Sequence, residues 1–251
     1  MKKTKVLLVG ESWTTSTTHF KGFDHFVTTN FGGGYSFFKE ALQKDPSIEF
    51  HHMDAYSVQS DFPFTLEGLN QWDVIVLSDI GANSFLLSNR VFIQGKREPN
   101  RLALLKEWVE KGGGLAMAGG YLTFSGLEAK AGYYRTPIET VLPVNIYTFD
   151  DRVETPEGTD PEVLLADHPI LKGVPAEWPH LMGYQEVVPK EGAQVLVKSQ
   201  YDHPLLAVME WGKGRTLAWT SDIGPHWCPQ EFVEWEGYAK VWQNAVHWLA
   251  V

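Results

Sequence analysis

The sequence predicts an α/β fold built on a buried, mostly parallel sheet. Short unbroken apolar runs such as Val6-Leu-Leu-Val9 and Val74-Ile-Val-Leu77 lack the polar alternation of a half-exposed strand, and amphipathic segments of helical period lie between them. Scale agrees: 251 residues, 43% of them hydrophobic, can bury a large core, so residues 1–251 read as a single domain.

Taken in order, Lys5 to Val9 is the first strand, followed by a long polar loop from Glu11 to His25. Tyr35 to Lys44 is a helix with Phe37, Phe38, Ala41 and Leu42 on one face, stopped by Asp45-Pro46. Ile48 to Met53 is the second strand and Asp73 to Asp79 the third, apolar inside and acidic at both ends. Arg101 to Lys111 is a helix that begins after Pro99-Asn100 and ends in Gly112-Gly-Gly114; Leu115 to Ala118 is the fourth strand. From about Thr136 to Gln200, eight prolines break the pattern, which reads as excursions from the sheet. Regularity returns with strands at Gln194–Lys198, Leu205–Glu210 and Arg215–Ser221, the last two joined by a hairpin turn with positive φ expected at Gly212 and Gly214. One helix, Phe232 to Leu249, closes the chain.

Composition excludes several functions. Lys plus Arg number 21 and Asp plus Glu 31, a net charge of −10 that argues against nucleic acid or an anionic membrane as partner. The single cysteine, Cys228, forbids an internal disulfide and a Cys-rich metal site, and fits a reducing compartment. After Met1-Lys2-Lys3 the apolar run is too short for a signal peptide, and no stretch is long enough for a membrane span, so a cytoplasmic location is expected.

Ligands of open α/β sheets bind beyond the carboxyl ends of the strands. Those ends carry Glu11-Ser12-Trp13, then Asp79 with Asn83, then Gly119-Gly120-Tyr121, and Ser221-Asp222 with His226. Singly, each could merely cap a helix or close a turn. The sharpest signal is Gly112 to Gly126, a helix stop, a small-residue strand and a glycine-flanked turn, which is the layout of a nucleophile elbow. Gly120 or Tyr121 occupies the nucleophile position, and a bulky phenol is a poor acyl-transfer nucleophile. His226 lies where a triad histidine comes, with Glu231 as a possible orienting carboxylate. The Glu11–His25 loop adds His19, Lys21 and Asp24, suited to a polyhydroxylated or carboxylated small molecule. His19, Asp24, His25 and Asp79 lack a metal-ligand spacing, and no phosphate-loop or dinucleotide fingerprint is present, so neither metal nor cofactor is expected.

On these residues the chain resembles the class I glutamine amidotransferase-like superfamily, in the branch with Gly-Gly-Tyr-Leu-[Ser/Thr]-Phe at the elbow. The resemblance rests on Gly10-Glu-Ser-Trp13, Lys21-Gly-Phe-Asp24, Leu77 to Asn83, Gly112-Gly-Gly-Leu115, Gly119 to Phe124, Thr136-Pro137 with Val141-Leu-Pro-Val144, Asp150-Asp-Arg152, Asp167-His-Pro-Ile170 and Ser221 to Trp227. It implies a flavodoxin-like, doubly wound sheet with helices on both faces and the site at the elbow. Amidotransferases of this class hydrolyse glutamine with a Cys-His-Glu triad. Here His226 carries over as the histidine and Glu231 as the acid, but the cysteine is absent, which predicts loss of glutaminase activity. The leading reading is a protein that binds a small polar metabolite at the elbow rim. A second is a hydrolase or isomerase of a small polar or sugar-like substrate using His226 with Asp79 or Glu11. A third, suggested by 10 Trp among 33 aromatics, is a structural module that forms a homo-oligomer.

Overall fold

In the computed structural model, which describes residues 2–250, the chain opens with β1 (Thr4–Gly10). Where a loop was expected, two ten-residue strands follow: β2 (Ser12–Lys21) and β3 (Asp24–Gly33), antiparallel in register from Ser12↔Gly33 to Lys21↔Asp24. Ser/Thr runs suit turns, but β-branched threonine also suits strands. Val27 and the aromatics on the facing strand favour the extended form. Next come α1 (Ser36–Gln43), β4 (Ile48–Met53), α2 (Val58–Asp61), α3 (Leu66–Leu69), β5 (Val74–Ser78), α4 (Asn83–Leu86), α5 (Asn89–Phe92), α6 (Arg101–Glu110) and β6 (Gly114–Ala118). The Asn100 side chain caps α6 by accepting from the Leu102 and Ala103 amides.

The proline-rich stretch contains α7 (Pro137–Val141), β7 (Val144–Asn145), β8 (Arg152–Thr159), β9 (Glu162–Val163), β10 (Leu181–Gln185) and β11 (Val188–Pro189). There β8 pairs with β10 and β7 with β11, each as a two-stranded ribbon off the main sheet. The chain ends with β12 (Gln194–Lys198), β13 (Pro204–Trp211), β14 (Gly214–Trp219), α8 (Gln230–Glu234) and α9 (Glu236–Leu249). In the β13–β14 turn only Gly212 has positive φ, at 62°; Gly214 instead lies against the Val109 carbonyl, too close for a side chain. The single closing helix is also corrected. Trp235 is extended, ψ 136°, which lays its indole over Gly237 and beside Phe232 and Trp178.

The main sheet runs β4-β1-β5-β6-β14-β13-β12-β9. Its first five strands are parallel, in the 2-1-3-4-5 order of flavodoxin-like folds, and β13, β12 and β9 extend it antiparallel. Helices cover both faces, and β1 shows why it reads as unbroken apolar sequence. Val6 and Leu8 face Phe38 and Leu42 of α1 and Trp242 and Val246 of α9; Leu7 and Val9 face the layer of Leu102, Leu105 and Val109 of α6. Burying each such side chain stabilises by about 1.5–3 kcal/mol. Among the described residues no helix is long and apolar enough to cross a membrane.

Candidate functional site

Four parallel strands end level with one another. Gly10 pairs with Ser78, Ser78 with Ala118 and Ala118 with Trp219, so the next residues of β1, β5, β6 and β14 share one rim. The chain leaves three of these ends through left-handed backbone, with φ of 49° at Glu11, 44° at Asp79 and 137° at Gly120. Such conformations are strained for residues with a side chain and cluster at functional sites.

Gly120 takes the positive-φ position of the elbow, which glycine adopts without strain. A Cβ there would lie 3.0 Å from Asp79 Cβ, 3.1 Å from Asp79 Oδ1 and 3.2 Å from Asp222 Oδ1. The nucleophile position is therefore a gap between two carboxylates, cramped for a side chain and repulsive to a thiolate. The backbone donors beyond it are engaged as well. Leu122 N–H donates to Asp79 Oδ1 at 2.8 Å, and the Tyr121 N–H also favours the Asp79 carboxylate. In an acyl-transfer enzyme the amide directly after the nucleophile stabilises the oxyanion, and after Gly120 that amide is the Tyr121 N–H. Burial nevertheless raises the Asp79 pKa above the ordinary carboxylate value.

Tyr121 projects from the elbow, half-exposed, with its hydroxyl 3.3 Å from His226 Nε2. His226 Nδ1 lies 3.2 Å from Asp222 Oδ2, and this carboxylate raises the imidazole pKa. A carboxylate, an imidazole and a phenol thus stand in line. In that order Asp222 fixes the tautomer, with the proton on Nδ1, leaving Nε2 to accept from the phenol. The Asp222 Oδ2 also accepts from the Trp227 amide. Trp227 is fully buried, donates its indole N–H to Glu154 at 2.9 Å, and lies 5.8 Å from the Tyr121 ring. The Arg152 guanidinium covers the Tyr121 ring at 4.9 Å and is held by Asp150 through 2.8 Å bonds.

Deeper bonds hold the elbow from behind. The buried Gln185 amide donates to the Gly120 carbonyl at 2.9 Å and the Thr123 carbonyl at 2.6 Å. Asp151, pushed up to about 6 chiefly by burial, accepts from the Ser125 and Gly126 amides. Beside the elbow, Ser78 donates to the buried Glu11 carboxyl at 2.5 Å; burial, with Asp222 and Asp79 acting the same way, raises Glu11 to about 8.

Of the residues singled out in the sequence, Glu11, Asp79, Gly119, Gly120, Tyr121, Asp222 and His226 meet at this rim. Gly119 serves packing: a Cβ would fall 2.3 Å from the Thr220 carbonyl. Ser12 is buried and accepts from the Ala55 amide at 2.8 Å, and Trp13 covers Gly32 at the base of the β2–β3 hairpin. Glu231 does not orient His226. It is exposed in the first turn of α8, whereas Asp222, four residues before the histidine, reaches the ring. His19, Lys21 and Asp24 sit at or near the hairpin tip, about 30 Å of strand from Ser12 at ~3.3 Å per residue, and His19 bonds Thr28. Asn83 is exposed on α4. Sequence reasoning gave no role to Arg152, Gln185 or Trp227. Asp150-Asp-Arg152 was visible only as a family motif, and nothing in the local pattern of β10 marks Gln185. Cys228 is buried, which raises its thiol pKa well above the usual value and leaves it unreactive. Glu11 and Asp79 are not hydrogen-bonded to His226; Asp222 is the carboxylate that pairs with it.

The fold and elbow together define a class I glutamine amidotransferase-like protein. The chain belongs to the family described as putative glutamine amidotransferase, whose model matches residues 5–251. It is similar to two solved structures from Salmonella typhimurium, the cytoplasmic proteins STM3548 (42% identity, TM-score 0.93, 98% of each chain covered) and STM1381 from strain LT2 (41%, 0.92, 98% of this chain and 100% of that one). A putative GMP synthase component from Thermoplasma acidophilum shares the fold at 10% identity and a TM-score of 0.50, over 98% of this chain and 94% of that one. No curated protein matches the chain significantly.

Proposed function

We propose that this chain is a single-domain, cytoplasmic amidotransferase-like protein without glutaminase activity, which binds a small polar metabolite at the elbow rim. One observation carries the reading: Asp79 occupies the elbow donors and, with Asp222, flanks Gly120 where a nucleophile would stand. Acyl transfer needs a thiolate and an empty oxyanion hole, and both are opposed by these carboxylates. What remains is a rim of hydroxyl, imidazole and carboxyl groups around the half-exposed Tyr121 ring, which suits a neutral, hydroxyl-rich ligand over an anionic one. Two relatives named as cytoplasmic proteins support the location.

The aligned Asp222, His226 and Tyr121 favour a second reading, proton transfer on a small polar or sugar-like substrate. A thermal-shift screen of sugars, polyols, amino acids and carboxylates tests the binding. A neutral polyhydroxylated compound at a hundred times its Kd should stabilise by about 2.7 kcal/mol, and Tyr121→Ala should abolish the shift. A response confined to anionic compounds contradicts the proposal.

A further inference from the structure

The β2–β3 hairpin has no role at the elbow, and its physical state is unusual. Two ten-residue strands form a separate two-stranded sheet, nearly every side chain of which is exposed. An isolated two-stranded hairpin is at best marginally stable in water; a third strand or a packed face is needed. Direct pairing sorts its side chains. Thr14 with Phe31, Thr18 with Val27, and Phe20 with His25 lie on one face. On that face Phe20 is 77% exposed, Phe31 64% and Val27 56%, an apolar stripe with nothing over it. Among the described residues neither outer edge has a neighbouring strand, and no proline or mid-strand charge protects the edges.

We propose that this hairpin is an oligomerisation arm whose occupant is a second copy of the chain, packed arm against arm through the Phe20, Val27 and Phe31 face. Charge makes this arm the favoured place for contact between copies. Lys21 and Asp24 are the hairpin's only ammonium and carboxylate side chains, so the arm is neutral in a molecule of net charge −10. Two such molecules repel at most surfaces. Arms about 30 Å long at ~3.3 Å per residue can overlap while holding the acidic bodies apart by more than the Debye length of about 8 Å. The contact is isologous, the same face meeting itself about a two-fold axis, so it closes without forming fibres. The face offers ten residues per partner, alternate positions of both strands, a small contact beside the roughly 20–30 residues a side of a standard interface.

Sedimentation equilibrium of the full chain at micromolar concentration tests this. The expected wild-type mass is that of a dimer. Phe20→Glu combined with Val27→Glu should lower self-association at least tenfold and yield a monomer. Both side chains are exposed and lie outside the main sheet, so the near-UV circular dichroism of the body should be unchanged, while the unsupported hairpin should lose strand signal. A second variant replaces Trp13–Gly32 by Asn-Gly, joining Ser12 to Gly33, which are already paired. It should be monomeric too. A monomeric wild type at 100 µM, or a doubly charged variant that keeps the wild-type mass, overturns the proposal.

Discussion

The Asp79 carboxylate sits 2.8 Å from the amide nitrogen of Leu122, bonded across the turn that follows Gly120. It is held there by the left-handed backbone of Asp79 itself, φ 44°, at the end of β5. The elbow has kept its shape, but its donors are satisfied by the protein.

Restoring a cysteine should therefore not restore the chemistry. In Gly120→Cys, the new Cβ must enter space 3.0–3.2 Å from atoms of Asp79 and Asp222, at a backbone φ of 137°. A loss of about 1–3 kcal/mol of stability is expected, read by urea denaturation. Titration of the new thiol should give a pKa above that of free cysteine, since both neighbouring carboxylates oppose a thiolate.

His226 should titrate above the free-imidazole value, because Asp222 stabilises its charged form. NMR of the imidazole C–H resonances reads this directly. Asp222→Asn should lower the apparent pKa, while Glu231→Gln should leave it in place. A drop with Glu231→Gln and none with Asp222→Asn would restore the assignment made from sequence.

Glu11 makes stability depend on pH. Its pKa is about 8 in the fold against 4.5 for the free side chain, so the folded state favours the protonated form. Its contribution is fully present below pH 4.5 and is lost as pH rises through 8. Asp79 and Asp151 act in the same direction, so the comparison with Glu11→Gln isolates this residue. From pH 5 to 8 the variant should gain on wild type by roughly 1 kcal/mol per pH unit. Equal slopes for the two proteins would show that Glu11 is ionised in the fold.

The parallel sheet was legible because its inner strands β1, β5 and β6 are buried on both faces and read as apolar runs. The rim was legible because strand ends in such sheets fall together, and Glu11, Asp79, Gly120 and Asp222 each follow one. Two things were hidden. The β2–β3 hairpin is Ser/Thr-rich and exposed, so no hydrophobic alternation distinguishes it from a loop. The partner of His226 depended on the path of the turn from Ser221 to Trp227, which brings residue 222 back to the ring and carries residue 231 into a helix facing solvent. Side chains arriving from remote segments were harder to see: Arg152 from β8 showed only as part of a family motif, and Gln185 from β10 left no local pattern at all.

Ammonia release from glutamine by the purified protein, measured beside His226→Ala, tests the central claim most directly. With Asp79 on the elbow donors and no thiol at Gly120, the two proteins should be indistinguishable from the enzyme-free blank. Ammonia release by wild type that disappears in His226→Ala would contradict the account.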